Sequence, residues 1–268
     1  MSKKIIIVGA SSGIGEAMAL QYAAIGHKVG ITGRRTALLQ NIKMQFPSLI
    51  EYECFDVTGD ENIQKLEMLI SKLGGLDLIV ISAGWGRPSE TLNWDIDKKI
   101  TTTNVNGFIE IANWSFNYFV KQGHGKIAAI SSVAANRGSS YSPAYAASKA
   151  FESIYCEGLS IKARKLKKEI YITCIEPGFV NTDMAHGGDK MFWIAPVEKA
   201  SRQIIKAIEK KKRKVYITKR WWLIAKLMRH PENPADEAAA FTPAGAEHSP
   251  PACRTAGPRR AFAAADRA

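Results

Sequence analysis

Tyr145 and Lys149 stand four residues apart in Tyr-Ala-Ala-Ser-Lys, within a stretch (144–165) whose apolar residues recur at helical spacing. Positions i and i+4 leave a helix on one face, a turn apart. A free phenol ionises near pH ~10, and an ammonium beside it stabilises the phenolate. The pair therefore suits proton exchange with an oxygen centre. Ser132, in Ile130-Ser131-Ser132, ends a β-branched run thirteen residues before Tyr145. Hydroxyls at the carboxyl end of a parallel strand face the ligand crevice. Tyr-x-x-x-Lys alone is ordinary on an amphipathic helix, so its weight depends on the surrounding sequence.

That sequence includes Gly9-Ala10-Ser11-Ser12-Gly13-Ile14-Gly15, between an apolar run and a helical pattern. Glycines there allow a tight turn and bring backbone N–H groups close to a pyrophosphate at a helix N-terminus. After the second apolar run, where an acidic residue commonly binds the ribose 2′-hydroxyl, the chain has Gly33-Arg34-Arg35. Two guanidiniums, with the Ser12 hydroxyl, suit a 2′-phosphate, which favours NADP(H) over NAD(H).

Runs that position these groups recur at Ile5–Val8, Lys28–Thr32, Tyr52–Phe55, Leu78–Ile81, Lys126–Ile130, Tyr171–Ile175 and Val215–Thr218. Helical patterns lie between them at Glu16–Ile25, Ala37–Gln45, Glu61–Leu73, Val105–Val120, Ala144–Lys165 and Glu198–Lys210. Alternating strands and helices predict an α/β fold: one Rossmann-like, doubly wound parallel sheet of about seven strands with helices on both faces. One catalytic domain is expected over 1–230. Beyond Pro231 the chain lacks Lys and Ile and is dominated by Ala and Pro, so 231–268 reads as a disordered, appended tail.

The G-x-x-x-G-x-G loop, the Ser132/Tyr145/Lys149 set and their order resemble the short-chain dehydrogenase/reductase family over roughly residues 3 to 220. The resemblance implies that Ser132, not Ser131, polarises a substrate carbonyl, and that Tyr145 is its proton donor. It implies that Lys149 tunes Tyr145 and holds the nicotinamide ribose, and that Asn104 holds a water linking Lys149 to solvent. Cofactor contacts are implied for Gly9, Ser11, Ser12, Gly13, Ile14, Gly15, Arg34, Arg35, Ala83 and Gly84. Asp56 and Val57 stand at the adenine position, and Pro177, Gly178, Val180 and Thr182 line the nicotinamide side. A surface Asp56 capping the next helix is the plain alternative. Val8 and Ser82 replace residues usual in the family, which bears on a hydrogen bond between the first and fourth strands. A homodimer or homotetramer through 105–120 and 144–165 is implied as well.

Trp85, Tyr141, Met184 and Phe192, with Ser132 and Tyr145, would contact substrate. Their apolar character suggests a bulky or lipophilic carbonyl compound or its alcohol. A non-catalytic NADPH-binding regulator on the same fold is the alternative. Cys54, Cys156, Cys174 and Cys253 lack ligand spacing, so no metal is expected, and their scatter suits a reducing cytoplasm. The formal net charge of +12 would attract polyanions, but no nucleic-acid-reading motif accompanies it. Lys162–Lys168 reads as a solvated helix face. In 210–229, clustered Lys and Arg precede Trp221, Trp222, Leu223 and Leu227. This suits a helix lying on an anionic membrane surface, or equally packing on the domain or against a subunit.

Overall fold

The computed structural model describes residues 2–87, 91–183 and 192–229. The expectations for Met184 and for the tail 231–268 lie outside the described residues. Seven strands form one parallel sheet: β1 (Lys4–Val8), β2 (Lys28–Gly33), β3 (Ile50–Cys54), β4 (Leu78–Ile81), β5 (His124–Ile130), β6 (Glu169–Pro177) and β7 (Lys214–Ile217), in the order β3-β2-β1-β4-β5-β6-β7. The chain runs outward from β1 to β3, then crosses to β4 on the other side of β1. A topological switch point, and hence a crevice, is thereby set at the carboxyl ends of β1 and β4.

The central strands read as continuous apolar runs because both of their faces are covered. In β1, Ile6 and Val8 join one core, beneath α3 (Asn62–Leu73), α5 (Phe108–Gln122) and α6 (Pro143–Lys165). Ile5 and Ile7 join the other, beneath α1 (Gly13–Ala24), α2 (Thr36–Gln45) and α7 (Val197–Glu209). Met18 and Tyr22 of α1 meet Ile204 and Ile208 of α7 in that second core.

One feature departs from the expected elements. The helix expected from Val105 begins at Trp94: α4 (Trp94–Thr101) continues through a π turn (Thr102–Gly107) into α5. Asn93 caps α4, accepting from the N–H groups of Asp95 and Ile96. The segment 210–229 is divided by β7, at the expected run Val215–Thr218, before α8 (Trp221–Met228). Lys162, Arg164, Lys165, Lys167 and Lys168 are exposed around the end of α6. No helix among the described residues is long and apolar enough to cross a membrane.

Candidate active site

The glycine loop joins β1 to α1, with Ser12 at the N-cap in extended conformation. Gly9 has φ +84, and a Cβ there would overlap the Ala83 backbone, so the loop lies directly against the end of β4. No side chain caps the first turn of α1. Its N–H groups therefore remain available at the positive end of the helix dipole. Arg35 Nη2 donates to Ser12 Oγ at 2.7 Å and to Ser11 Oγ at 3.0 Å. Arg35 also occupies the N-cap position of α2, but its guanidinium is turned onto the loop. Arg34 behaves differently, with Nη1 3.4 Å from Asp56 Oδ2 in an exposed ion pair.

Asp56 does not cap α3, whose N-cap is Glu61. It accepts from the Thr58 N–H and hydroxyl, each at 3.0 Å. Burial acts to raise its pKa, but the Thr58 bonds and the Arg34 guanidinium outweigh it and hold the carboxyl below its ordinary value. Val57 is buried beside the π turn. At the opposite rim, Gly178 donates to the Ile217 carbonyl and Val180 bridges Ala195. The Thr182 methyl closes on Gly13. A cavity of about 390 Å³ between α1, α2 and this rim is lined by Ser12, Leu38, Asn41 and Thr182. It flanks the loop and does not reach Tyr145.

The other half of the site hangs from α6, which Pro143 opens at its first turn. The Tyr145 ring lies over the Gly86 backbone, with Lys149 Nζ 5.8 Å from its centroid. A Cβ on Gly84 would sit 3.2 Å from Lys149 Nζ and 3.6 Å from Asn104 Oδ1, so these three residues converge. Asn104, fully buried in the π turn, accepts from Trp85 N–H and donates to Trp85 C=O, both at 2.8 Å, and donates to Ser148 Oγ. Its side chain is thus spent on fixing the segment after β4. π turns of this kind occur frequently at functional sites.

Ser131 is buried and donates to the Lys149 carbonyl at 2.8 Å. Ser132, half-buried, accepts from Ala134 N–H at 3.2 Å. No hydrogen bond joins the Ser132 and Tyr145 hydroxyls among the described residues. Trp85 and Tyr141 are half-buried, and Lys99 Nζ lies 4.5 Å over the Trp85 ring. Phe192 instead stacks on Trp221 of α8 at 5.2 Å.

Sequence reasoning missed Glu152. Both of its carboxylate oxygens take hydrogen bonds from Lys149 Nζ, at 2.9 and 3.0 Å, and Ile130 C=O accepts a third at 3.1 Å. Burial pushes Glu152 up to about 7, with the Lys149 charge opposing only part of that rise. Burial also works to lower Lys149, but the charges of Glu152 and Tyr145 outweigh it and the pKa is raised. An acid three residues after a helical lysine was the available signal.

A family profile described as short chain dehydrogenase matches residues 3–192. The chain belongs to the short-chain dehydrogenase family. An uncharacterized oxidoreductase of Myxococcus xanthus is 34% identical over 185 residues, covering 67% of this chain and 72% of that protein. The structure of ElxO with NADP bound superposes with TM-score 0.74 at 21% identity, covering 83% of this chain and all of that one. A short-chain dehydrogenase from Sphingobium yanoikuyae in complex with NADPH gives TM-score 0.72 at 19% identity, covering 88% and 99%. The protein is an oxidoreductase of this type, and members of the family use a nicotinamide dinucleotide.

Proposed function

We propose that this short-chain dehydrogenase reduces the carbonyl group of a bulky or lipophilic small molecule, or oxidises the matching alcohol, with NADP(H) preferred over NAD(H). The observation that carries the reading is the convergence of Lys149, Gly84 and the Tyr145 ring at the carboxyl end of β4. The glycine loop fits a dinucleotide, since its close backbone approach and uncapped helix turn form a cradle for a pyrophosphate. Arg35, beside the Ser11 and Ser12 hydroxyls, would take a 2′-phosphate, with Arg34 a secondary contact shared with Asp56. The NADP and NADPH bound by two structural neighbours support a nicotinamide dinucleotide here.

The bound nicotinamide supplies hydride chemistry at the carbonyl carbon. Tyr145 gives its proton to the carbonyl oxygen, and the Ser132 hydroxyl donates a hydrogen bond to that oxygen as charge develops. Lys149 would hold the ribose of the bound cofactor, and its positive charge would stabilise the phenolate. Run in reverse, Tyr145 takes the alcohol proton. The half-buried aromatics Trp85 and Tyr141 support a large apolar substrate. Exposed Ile154 and Ile161 on α6 support a homodimer or homotetramer.

Tyr145→Phe tests the reading. Turnover in an NADPH-oxidation screen over ketosteroids, retinals, 3-oxoacyl thioesters and quinones should fall by at least about a thousandfold, the upper range for one acid–base group. NADPH binding followed by fluorescence should stay within about twofold of wild type. Retained turnover would overturn the assignment.

A further inference from the structure

The helix α8 is apolar on two opposite sides. Trp221 and Ala225 are buried, and a Cβ on Gly178 would overlap the Trp221 indole, so this side anchors the helix on the turn after β6. Arg137 Nη1 donates to the Met228 carbonyl and Arg229 Nε to Asn136 Oδ1, tying down the other end. On the outward side Trp222, Leu223 and Leu227 are 48–54% exposed. Phe192, Trp193 and Ile194 are also 44–48% exposed. They adjoin the start of the helix: Phe192 stacks on Trp221, and Trp193 is 5.3 Å from Phe192.

Cations frame these six side chains. Arg220 lies 5.7 Å over Trp193 and Lys226 4.2 Å over Trp222, with Lys219 and Arg229 at either end of the helix. Residues 219–229 contain no Asp or Glu. Lys210–Arg213 do not belong to this surface, since they precede β7 and lie at its opposite end.

Charge decides between the possible occupants. A two-fold contact with a second copy would oppose the same four cations to themselves. A nucleic acid would satisfy the cations but leave exposed leucines and tryptophans facing a phosphate backbone. An anionic bilayer satisfies both, because indoles and aliphatic side chains enter the interfacial layer while Lys and Arg meet lipid phosphates. We propose that the outward side of α8, with residues 192–194, is a peripheral docking surface for an anionic lipid bilayer. Trp221, on the inner side of the same helix, packs on Gly178 at the proposed nicotinamide rim. If the redox reading under Proposed function holds, lipophilic substrates would thus reach the site from the membrane.

Vesicle binding tests the surface independently of activity. The full-length protein, sedimented with mixed phosphatidylglycerol–phosphatidylcholine vesicles, should bind at least about tenfold more tightly than to pure phosphatidylcholine, and added salt should weaken it. Leu223→Glu with Leu227→Glu should reduce binding about tenfold or more while thermal stability and NADPH binding persist. Lys219→Glu with Lys226→Glu should remove the preference for anionic vesicles. Unchanged binding by both variants would overturn the proposal. So would absence of vesicle binding, whether accompanied by retention on duplex DNA or by concentration-dependent self-association that protects Trp222.

Discussion

Glu152 and Lys149 form a buried ion pair on one helix face, with side chains only 2% and 5% exposed. Burial raises Glu152 to about 7 from the 4.5 of a free carboxyl, so between those values the folded state holds a proton that the unfolded chain releases. Its contribution is therefore complete below pH 4.5 and is lost as pH rises through about 7. Glu152→Gln imitates the protonated side chain. Chemical denaturation should find its stability relative to wild type growing over that window, by at most roughly 3 kcal/mol, and level outside it. A flat difference across the window would place the proton elsewhere. The sequence displayed Tyr145, Lys149 and Ser132 because their types and spacing are chemical signals. It hid Glu152 because a carboxylate on a long helix is by default a solvated one, and only burial gives it consequence.

The helix entering the site shows how far periodicity reads. Its second half, Phe108–Gln122, was legible from its apolar spacing, whereas Trp94–Thr101 was not. Thr101-Thr102-Thr103-Asn104 are weak helix formers, and a sequence reading breaks the element there. The tertiary structure keeps it continuous as a π turn because the buried Asn104 side chain satisfies the Trp85 backbone and Ser148. Asn104→Ala should leave the Trp85 N–H and C=O unpaired in the interior, costing about 2–4 kcal/mol in urea unfolding. A loss below about 0.5 kcal/mol would mean the turn is held by other contacts. The division of 210–229 belongs to this scale too. The run Val215–Thr218 already separates its basic and aromatic residues in sequence, and β7 pairs with β6 and carries the two ends of the segment to opposite ends of the sheet.

For the whole molecule, a ligand that binds only the folded state raises stability in proportion to the logarithm of its concentration over Kd. At about 100 times its Kd, NADP+ should add ~2.7 kcal/mol, a rise in Tm of roughly 5–10 °C for a domain of this size. NAD+ at the same concentration should shift Tm less, and Arg35→Ala should bring the two cofactors level. Equal shifts in the wild-type protein would remove the case for a 2′-phosphate site. The sequence by itself determined the doubly wound sheet and the order of its strands along the chain, because β-branched runs alternating with amphipathic helices have few ways to bury both faces. It also determined the glycine loop and the Tyr145–Lys149 pair, since local spacing fixes which side chains share a turn or a helix face. Only the tertiary structure decided that Arg35 turns to the loop while Arg34 turns to Asp56, that Glu152 pairs with Lys149, and that Trp221 is core while Trp222 is surface. The two arginines and the two tryptophans are interchangeable by composition, and contacts with residues distant in the chain give them different partners and different access to water; for Glu152 it is burial alone that sets it apart.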